Sequence, residues 1–403
     1  MLKGTPKFTR LVPKHMEPKI KRTLPKPNEH GEWTTPGRIE LNKKNVTKML
    51  LKFSAAASGV ALIGFATYVV TTYFYLESQW PPLEEIKSPS VRNLLHLATY
   101  YERLSPNYDR ALVLLEKALK GATENEKLSP NSLAVIDMKV RIAECLLNLR
   151  QSPESVALMQ QILPELQRKG QSSAPSSTAN KLLYRLSIVL GRGYTDAGQL
   201  DSAVEVLSTG LQVVKRMKQE VVRQFDAESL EKYTEYDNMN LKETILTMYL
   251  GDVFYKKGDF SIAETLFQGM LAAIRQHRAH LAVAPRVVED PRTFFDEWAC
   301  LDAYAMLSLA RMKTDSGDAD EAMPYIELAR KAVAEEKTIR PPILCVNCTA
   351  RNFLELGKIA EAQGDKKRAL RRYRDAHEHA RLNFSDYQHQ IVPEIKRLES
   401  EKS

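Results

Sequence analysis

The densest grouping of reactive side chains in this sequence is Cys345-Val-Asn-Cys348, two thiols separated by two residues. That spacing suits zinc thiolates, and it also suits reversible sulfur chemistry between close neighbours. His377 and His379 follow about thirty residues later. A His-x-His spacing on a helix sends the two imidazoles to different faces, so no metal is expected here. Cys345 and Cys348 remain a candidate redox pair: either a structural or regulated disulfide, which is geometrically demanding between helical neighbours, or two reduced cysteines at a helix start. Cys145 and Cys300 sit in apolar helical stretches and read as core residues. Four cysteines in 403 residues are too few for a disulfide framework of the small secreted kind.

Nothing else in the chain spells out chemistry. The sequence has no GxSxG elbow, no GxxxxGK[ST] phosphate loop, no GxGxxG after a strand and no HExxH. Its eight histidines are dispersed. An enzyme needs titratable groups gathered in one pocket, and only the two cysteines gather. The expectation is a chain without catalytic residues or a cofactor.

The elements that would position these residues are helices, and they repeat. In LGRGYTDAGQLDSAVEVLSTGL, Gly191 is followed by Ala203, Leu207 and Gly210. In LGDVFYKKGDFSIAETLFQGML, Gly251 is followed by Ala263, Phe267 and Met270; in LGKIAEAQGDKKRALRRYRDAH, Gly357 is followed by Ala369, Tyr373 and Ala376. Each copy steps 12, then 4, then 3 residues. A small residue on one helix lets a second approach, a glycine in the turn caps the first, and the 4-3 step stays on one face of the second. Weaker copies surround Ala310 with Ala322, Ile326 and Ala329, Tyr101 with Ala111, Leu115 and Ala118, and Ile142-Ala143 with Met159 and Ile162.

These offsets resemble the tetratricopeptide repeat, which implies an all-α solenoid of helical hairpins. The copies at Gly191 and Gly251 are 60 residues apart, beyond the usual 34, so residues 211–244, free of Gly and Pro, are expected to hold a lengthened second helix and an extended first helix. Residues 170–180 and 280–292 read as loops. Solenoids of this kind bind along the first helix of each pair. The residues expected to line such a peptide-binding groove are Arg185, Arg192, Asp252, Tyr255, Lys256, Tyr304, Arg311 and Lys358. Chaperone-binding members of the family clamp a terminal carboxylate with Lys and Asn. The comparable positions here, Ile188/Arg192, Met248/Asp252 and Leu354/Lys358, do not match that clamp.

Ahead of the repeats the composition changes. Residues 53–76, FSAAASGVALIGFATYVVTTYFYL, contain no Lys, Arg, Asp, Glu, Asn, Gln or Pro. A bilayer core needs about 20 apolar helical residues, so this run is expected to be a transmembrane helix, with Tyr68, Tyr73, Phe74, Tyr75 and Trp80 as an interfacial belt. Residues 1–52 carry 13 Lys/Arg against four acids, a balance of +9 that exceeds the whole-chain +8 and leaves residues 77–403 near neutral. The basicity therefore marks the tail and does not indicate nucleic-acid binding. Lys43, Lys44, Lys48 and Lys52 before the span, and Glu77, Glu84 and Glu85 after it, place the repeat domain (77–403) across the membrane from the tail. The tail is compatible with mitochondrial targeting, though Pro6, Pro13, Pro18, Pro25 and Pro27 interrupt any long amphipathic helix. An endoplasmic-reticulum anchor is the other destination. There Asn347-Cys-Thr and Asn383-Phe-Ser are glycosylation acceptors.

Basic tail, single span and divergent tetratricopeptide array, together with Cys-x2-Cys before the last Leu-Gly copy, resemble the fungal tetratricopeptide-repeat adaptor subunit of the mitochondrial inner-membrane i-AAA protease. The resemblance covers about residues 45–380. It implies an intermembrane-space domain with the N-terminus in the matrix, whose partners are the i-AAA complex and unfolded or misfolded membrane-protein clients. The alternative is an assembly factor for a respiratory-chain complex in the same membrane.

Overall fold

The computed structural model describes residues 67–78, 80–170, 177–223, 230–283, 291–334, 343–382 and 387–401. The chain separates into two units, 1–72 and 73–403. In the first, residues 67–72 are helical. The tail and residues 53–66 of the expected span lie outside the described residues. Among those described, no helix is long and apolar enough to cross a membrane.

The second unit opens with helical residues 73–78. Leu76 is buried, Tyr73 meets the His96 ring edge-on at 4.8 Å, and Glu77 pairs with Arg92 and with His96 Nε2 at 2.5 Å. The last residues of the expected span thus dock on the repeat domain.

Among the described residues six helical pairs follow: α1 (Pro89–Thr99) with α2 (Tyr108–Lys120), α3 (Leu133–Asn148) with α4 (Ser152–Gly170), and α5 (Ser177–Asp196) with α6 (Leu200–Arg223). The others are α7 (Leu230–Lys257) with α8 (Phe260–Val283), α9 (Pro291–Asp315) with α10 (Ala319–Ala334), and α11 (Ile343–Ala362) with α12 (Lys366–Leu382). Helix α13 (Gln388–Ser400) packs on α12. Each returning helix also packs on the leading helix of the next pair, which makes an all-α, tetratricopeptide-like array. The 24-residue α6 and 28-residue α7 account for the 60-residue interval, as the lack of Gly and Pro predicts.

The 12-4-3 spacing has a direct physical cause. A Cβ added at Gly191 would lie 2.6 Å from Leu207 Cδ2, and one added at Gly251 would lie 2.7 Å from Phe267 Cε1. Gly357 stands in the same relation to the Tyr373 ring. Where the small residue is Ala310 or Ala143, the residue at the matching position is Ile326 or Met159. All these positions are buried. Two copies are more complete than the sequence suggests: Ser155 fills the position 12 after Ala143 and donates to its carbonyl at 2.8 Å, while buried Thr99 stands 12 before Ala111.

The turns share a left-handed residue seven positions after the small one: Gly198, Gly258, Gly317 and Gly364, with φ from 73° to 90°. In the second pair this residue is Arg150, at φ 65°. The expected loops are narrower than 170–180 and 280–292. Helix α4 runs through Gly170 and α5 begins at Ser177, burying Ala179; α8 reaches Val283 and α9 starts on Pro291. Proline suits a helix start because its missing N–H is not needed there.

Candidate protein-binding face

The leading helices do carry the residues expected to line a groove, but most of them brace one pair against the next. On α5, Arg185 reaches back to α3, pairing with Asp137 at 2.7 Å and Glu144 at 2.8 Å. Burial works against the charges, yet the mutual attraction wins: the Arg185 pKa is raised, and Glu144 is held below its ordinary value. Arg192 repeats the gesture more weakly, donating to Asn148 at 3.3 Å. One pair earlier, Arg141 of α3 bridges to Glu102 and Thr99, each at 2.7 Å.

Asp252, Tyr255, Tyr304 and Arg311 converge on α7 and α9. The Tyr304 hydroxyl donates to Asp252, and the Tyr255 hydroxyl donates to Asp315. Arg311 stacks over the Tyr255 ring at 4.4 Å, and Arg351 of α11 over the Tyr304 ring at 4.8 Å. Arg351, only 3% exposed, also donates to Ser308 at 3.1 Å and is the central residue that sequence reasoning missed. Burial raises the Asp252 carboxyl. Burial, then the bond to Asp315, pushes the Tyr255 phenol up to about 12. The half-buried Tyr387, at the threshold of α13, interacts electrostatically with Arg351 and Asp252, and burial likewise lifts it to about 12. Beyond it, Arg150 donates to His389 Nδ1 at 2.7 Å, linking the turn of the second pair to the last helix. Lys256 is exposed, and Lys358 pairs with Glu355 of its own helix at 3.2 Å. Both sit at the edge of the cluster: the Lys256 charge acts on Asp252, and Glu355, the partner of Lys358, acts on Arg351.

The cysteine reading needs correction. Cys345 is bonded to Cys300 of α9 and not to Cys348. Helices α9 and α11 pack together, bringing the two Cα atoms to 4.7 Å, within the range a disulfide requires. Cys348 is a buried thiol, 3.4 Å from the Cys300 carbonyl, and burial pushes its pKa up to about 12. An unreactive thiol of that kind is not one half of a redox couple. Among the described residues no three His, Cys, Asp or Glu side chains converge as a metal site.

No family model matches the chain, and a comparison with curated proteins finds no match. Solved structures with partial similarity include a Rap protein complexed with competence and sporulation factor, at 13% identity and TM-score 0.47, covering 82% of this chain and 79% of that one. Another is the Rap conjugation gene regulator of plasmid pLS20 in complex with the Phr* peptide, at 14% identity and TM-score 0.44, covering 80% and 79%. A tetratricopeptide repeat protein from Parabacteroides merdae gives 15% identity and TM-score 0.34, covering 77% and 99%. The repeat assignment rests on the chain's own helical pairing and spacing.

Proposed function

We propose that the chain is a membrane-anchored adaptor that binds client proteins on its repeat array and recruits them to the mitochondrial i-AAA protease, with the array in the intermembrane space. The observation that carries this reading is the junction at residues 67–78. Tyr68, Val69 and Val70 of the first unit are each about half exposed and continue in sequence the uncharged run from Phe53, and Phe74 and Tyr75, at the start of the second unit, are about half or more exposed. A soluble protein does not ordinarily leave so many large apolar side chains exposed along one short segment. A helix in a bilayer does. The Cys300–Cys345 bond supports an oxidising side of the membrane for the array. Tethering would keep bound clients at high local concentration beside a membrane protease.

Affinity purification of the full chain in mild detergent tests the reading, and co-elution of an AAA protease is the expected result. Co-elution of respiratory-complex subunits without the protease would replace this function with the assembly-factor alternative. Protease protection tests topology: the array should be degraded only after the outer membrane is ruptured, and degradation in intact mitochondria would overturn the orientation.

A further inference from the structure

The turn of the second helical pair and the last helix meet across 239 residues of sequence, where Arg150 donates to His389 Nδ1 at 2.7 Å. Arg150 reaches that bond from a disfavoured backbone. Four other turns place glycine in the left-handed region, at Gly198, Gly258, Gly317 and Gly364, whereas this turn places Arg150 there at φ 65°. A Cβ makes that region unfavourable, and strain of this kind collects where a segment is held in place for function.

Beside the Arg150 bond, the start of α13 covers the polar cluster of the leading helices. Tyr387 packs against the buried group that includes Ala350 and Leu354 of α11, and the charges of Arg351 of α11, Asp252 of α7 and Arg311 of α9 all act on its phenol. The later part of α13 is fastened separately. Ile391 and Leu398 are buried, and the pairs Arg397–Glu361, Arg374–Glu399 and Lys366–Glu401 each close at 2.7 Å. Its head, residues 387–390, is made to come away. No side chain caps the helix start at Tyr387, and an uncapped first turn frays. Pro393 brings no N–H to the His389 carbonyl, so the helical ladder is interrupted between head and body. A strained partner on one side and an interrupted helix on the other form a closure that opens without unfolding the array.

The cluster's own chemistry says what it holds. Arg351 lies over the Tyr304 ring while Asp252 accepts the Tyr304 hydroxyl, and Arg311 lies over the Tyr255 ring while Asp315 accepts the Tyr255 hydroxyl. A guanidinium on the ring face and a carboxylate on the hydroxyl is a recipe for a phenol. A free carboxylate would meet Asp252 and Asp315 as well as the arginines. We propose that the Arg351 cluster is a docking site for a tyrosine-bearing client segment, and that the chain's own residues 387–390 fill it until a client displaces them. This inference rests on the reading of the array as a client-binding surface.

The test uses a fluorescein-labelled, end-blocked peptide copying residues 385–391, Ser-Asp-Tyr-Gln-His-Gln-Ile, titrated into the full chain in detergent and followed by anisotropy. The parent is expected to bind weakly, because its own segment occupies the site and apparent affinity falls with the open fraction. Tyr387→Ala, which empties the site, is expected to bind at least about tenfold tighter, and His389→Ala, which loosens the exposed tie, about threefold tighter. The same peptide with Ala in place of Tyr is expected not to saturate the Tyr387→Ala chain up to about 1 mM. If Tyr387→Ala loses helical circular dichroism, His389→Ala carries the comparison, since that side chain is exposed. Equal affinity of the parent and both variants, no binding by any of them, or equal binding of the Ala peptide would overturn the proposal. Tighter binding of a Tyr-free peptide with a free terminal carboxylate would overturn it too, and would make the arginines an anion site. The measurement contains no protease, so its outcome is separate from the co-purification that tests the adaptor role.

Discussion

Alanine at Gly251 should destabilise the protein, whereas alanine at Gly269, in the returning helix of the same pair, should stabilise it. Both glycines are inside helices, where alanine is favoured by about 1 kcal/mol. At Gly269 that gain stands alone: the residue is exposed and an added Cβ meets nothing within 4 Å. At Gly251 the Cβ would lie 2.7, 2.8 and 3.2 Å from three ring atoms of Phe267. That ring is 1% exposed and packed among other side chains, so it cannot swing into solvent. The helices must separate instead, and overpacking of this kind costs about 1–3 kcal/mol. The net expectation is a loss of about 1 kcal/mol at Gly251 and a gain of about 0.5–1 kcal/mol at Gly269. Urea titrations of the full chain in detergent, followed by far-UV circular dichroism, should move the two midpoints in opposite directions. Gly251→Ala should cost less in a Phe267→Ala background than in the parent, a coupling of about 1 kcal/mol. If Gly251→Ala is neutral or stabilising, then Gly251 is not there to admit Phe267, and the explanation of the repeat spacing fails with it.

Reductant should lower the urea midpoint, because a disulfide spanning 45 residues is worth about 4 kcal/mol by chain entropy, with measured bonds commonly giving about 2–4. Cys300→Ser should abolish that sensitivity and Cys348→Ser should not; the opposite pattern would restore the Cys345–Cys348 pairing. Arg185→Met should cost about 1–3 kcal/mol at neutral pH, since it strands two partly buried carboxylates. Glu144 has a depressed folded pKa, so its contribution is present above its ordinary value of 4.5 and is lost as pH falls through the folded one. The gap between parent and variant should therefore narrow in acid, and a gap that widened would refute the ion pair. Arg150→Gly should raise stability by about 0.5–1 kcal/mol, because the left-handed backbone suits glycine and the hydrogen bond it gives up to His389 is solvent-exposed. A lowered melting midpoint would show that the tie to His389 outweighs the backbone strain.

The repeats could be read from sequence because each one encodes a close approach: a glycine faced by Leu207, Phe267 or Tyr373 is a size relation written in fixed spacing. Ser155 and Thr99 escaped notice because they meet the same requirement with a hydroxyl. The cysteine pairing was hidden for the opposite reason. Closeness in sequence pointed to Cys348, whereas the packing of α9 on α11 brings Cys300 to Cys345. The residues expected to line a groove lie on leading helices, but spacing along one helix does not say how near the neighbouring helix lies. That distance makes Arg185 a brace between pairs. Arg150 and His389 stand 239 residues apart, and no local pattern marks them as partners.

The Cys300–Cys345 bond also shapes how this chain can be dismantled. In a stack held by neighbouring helices alone, pulling on the C-terminus would peel off one helix at a time. Here unravelling of α13, α12 and α11 halts at Cys345, where force passes straight across to α9 and leaves α10 slack inside a covalent loop. A processive unfolding machine arriving from that end must thread two strands at once or wait for a reductant. The bond is a knot-like stop against any machine of that kind, and it holds only while the disulfide stays oxidised.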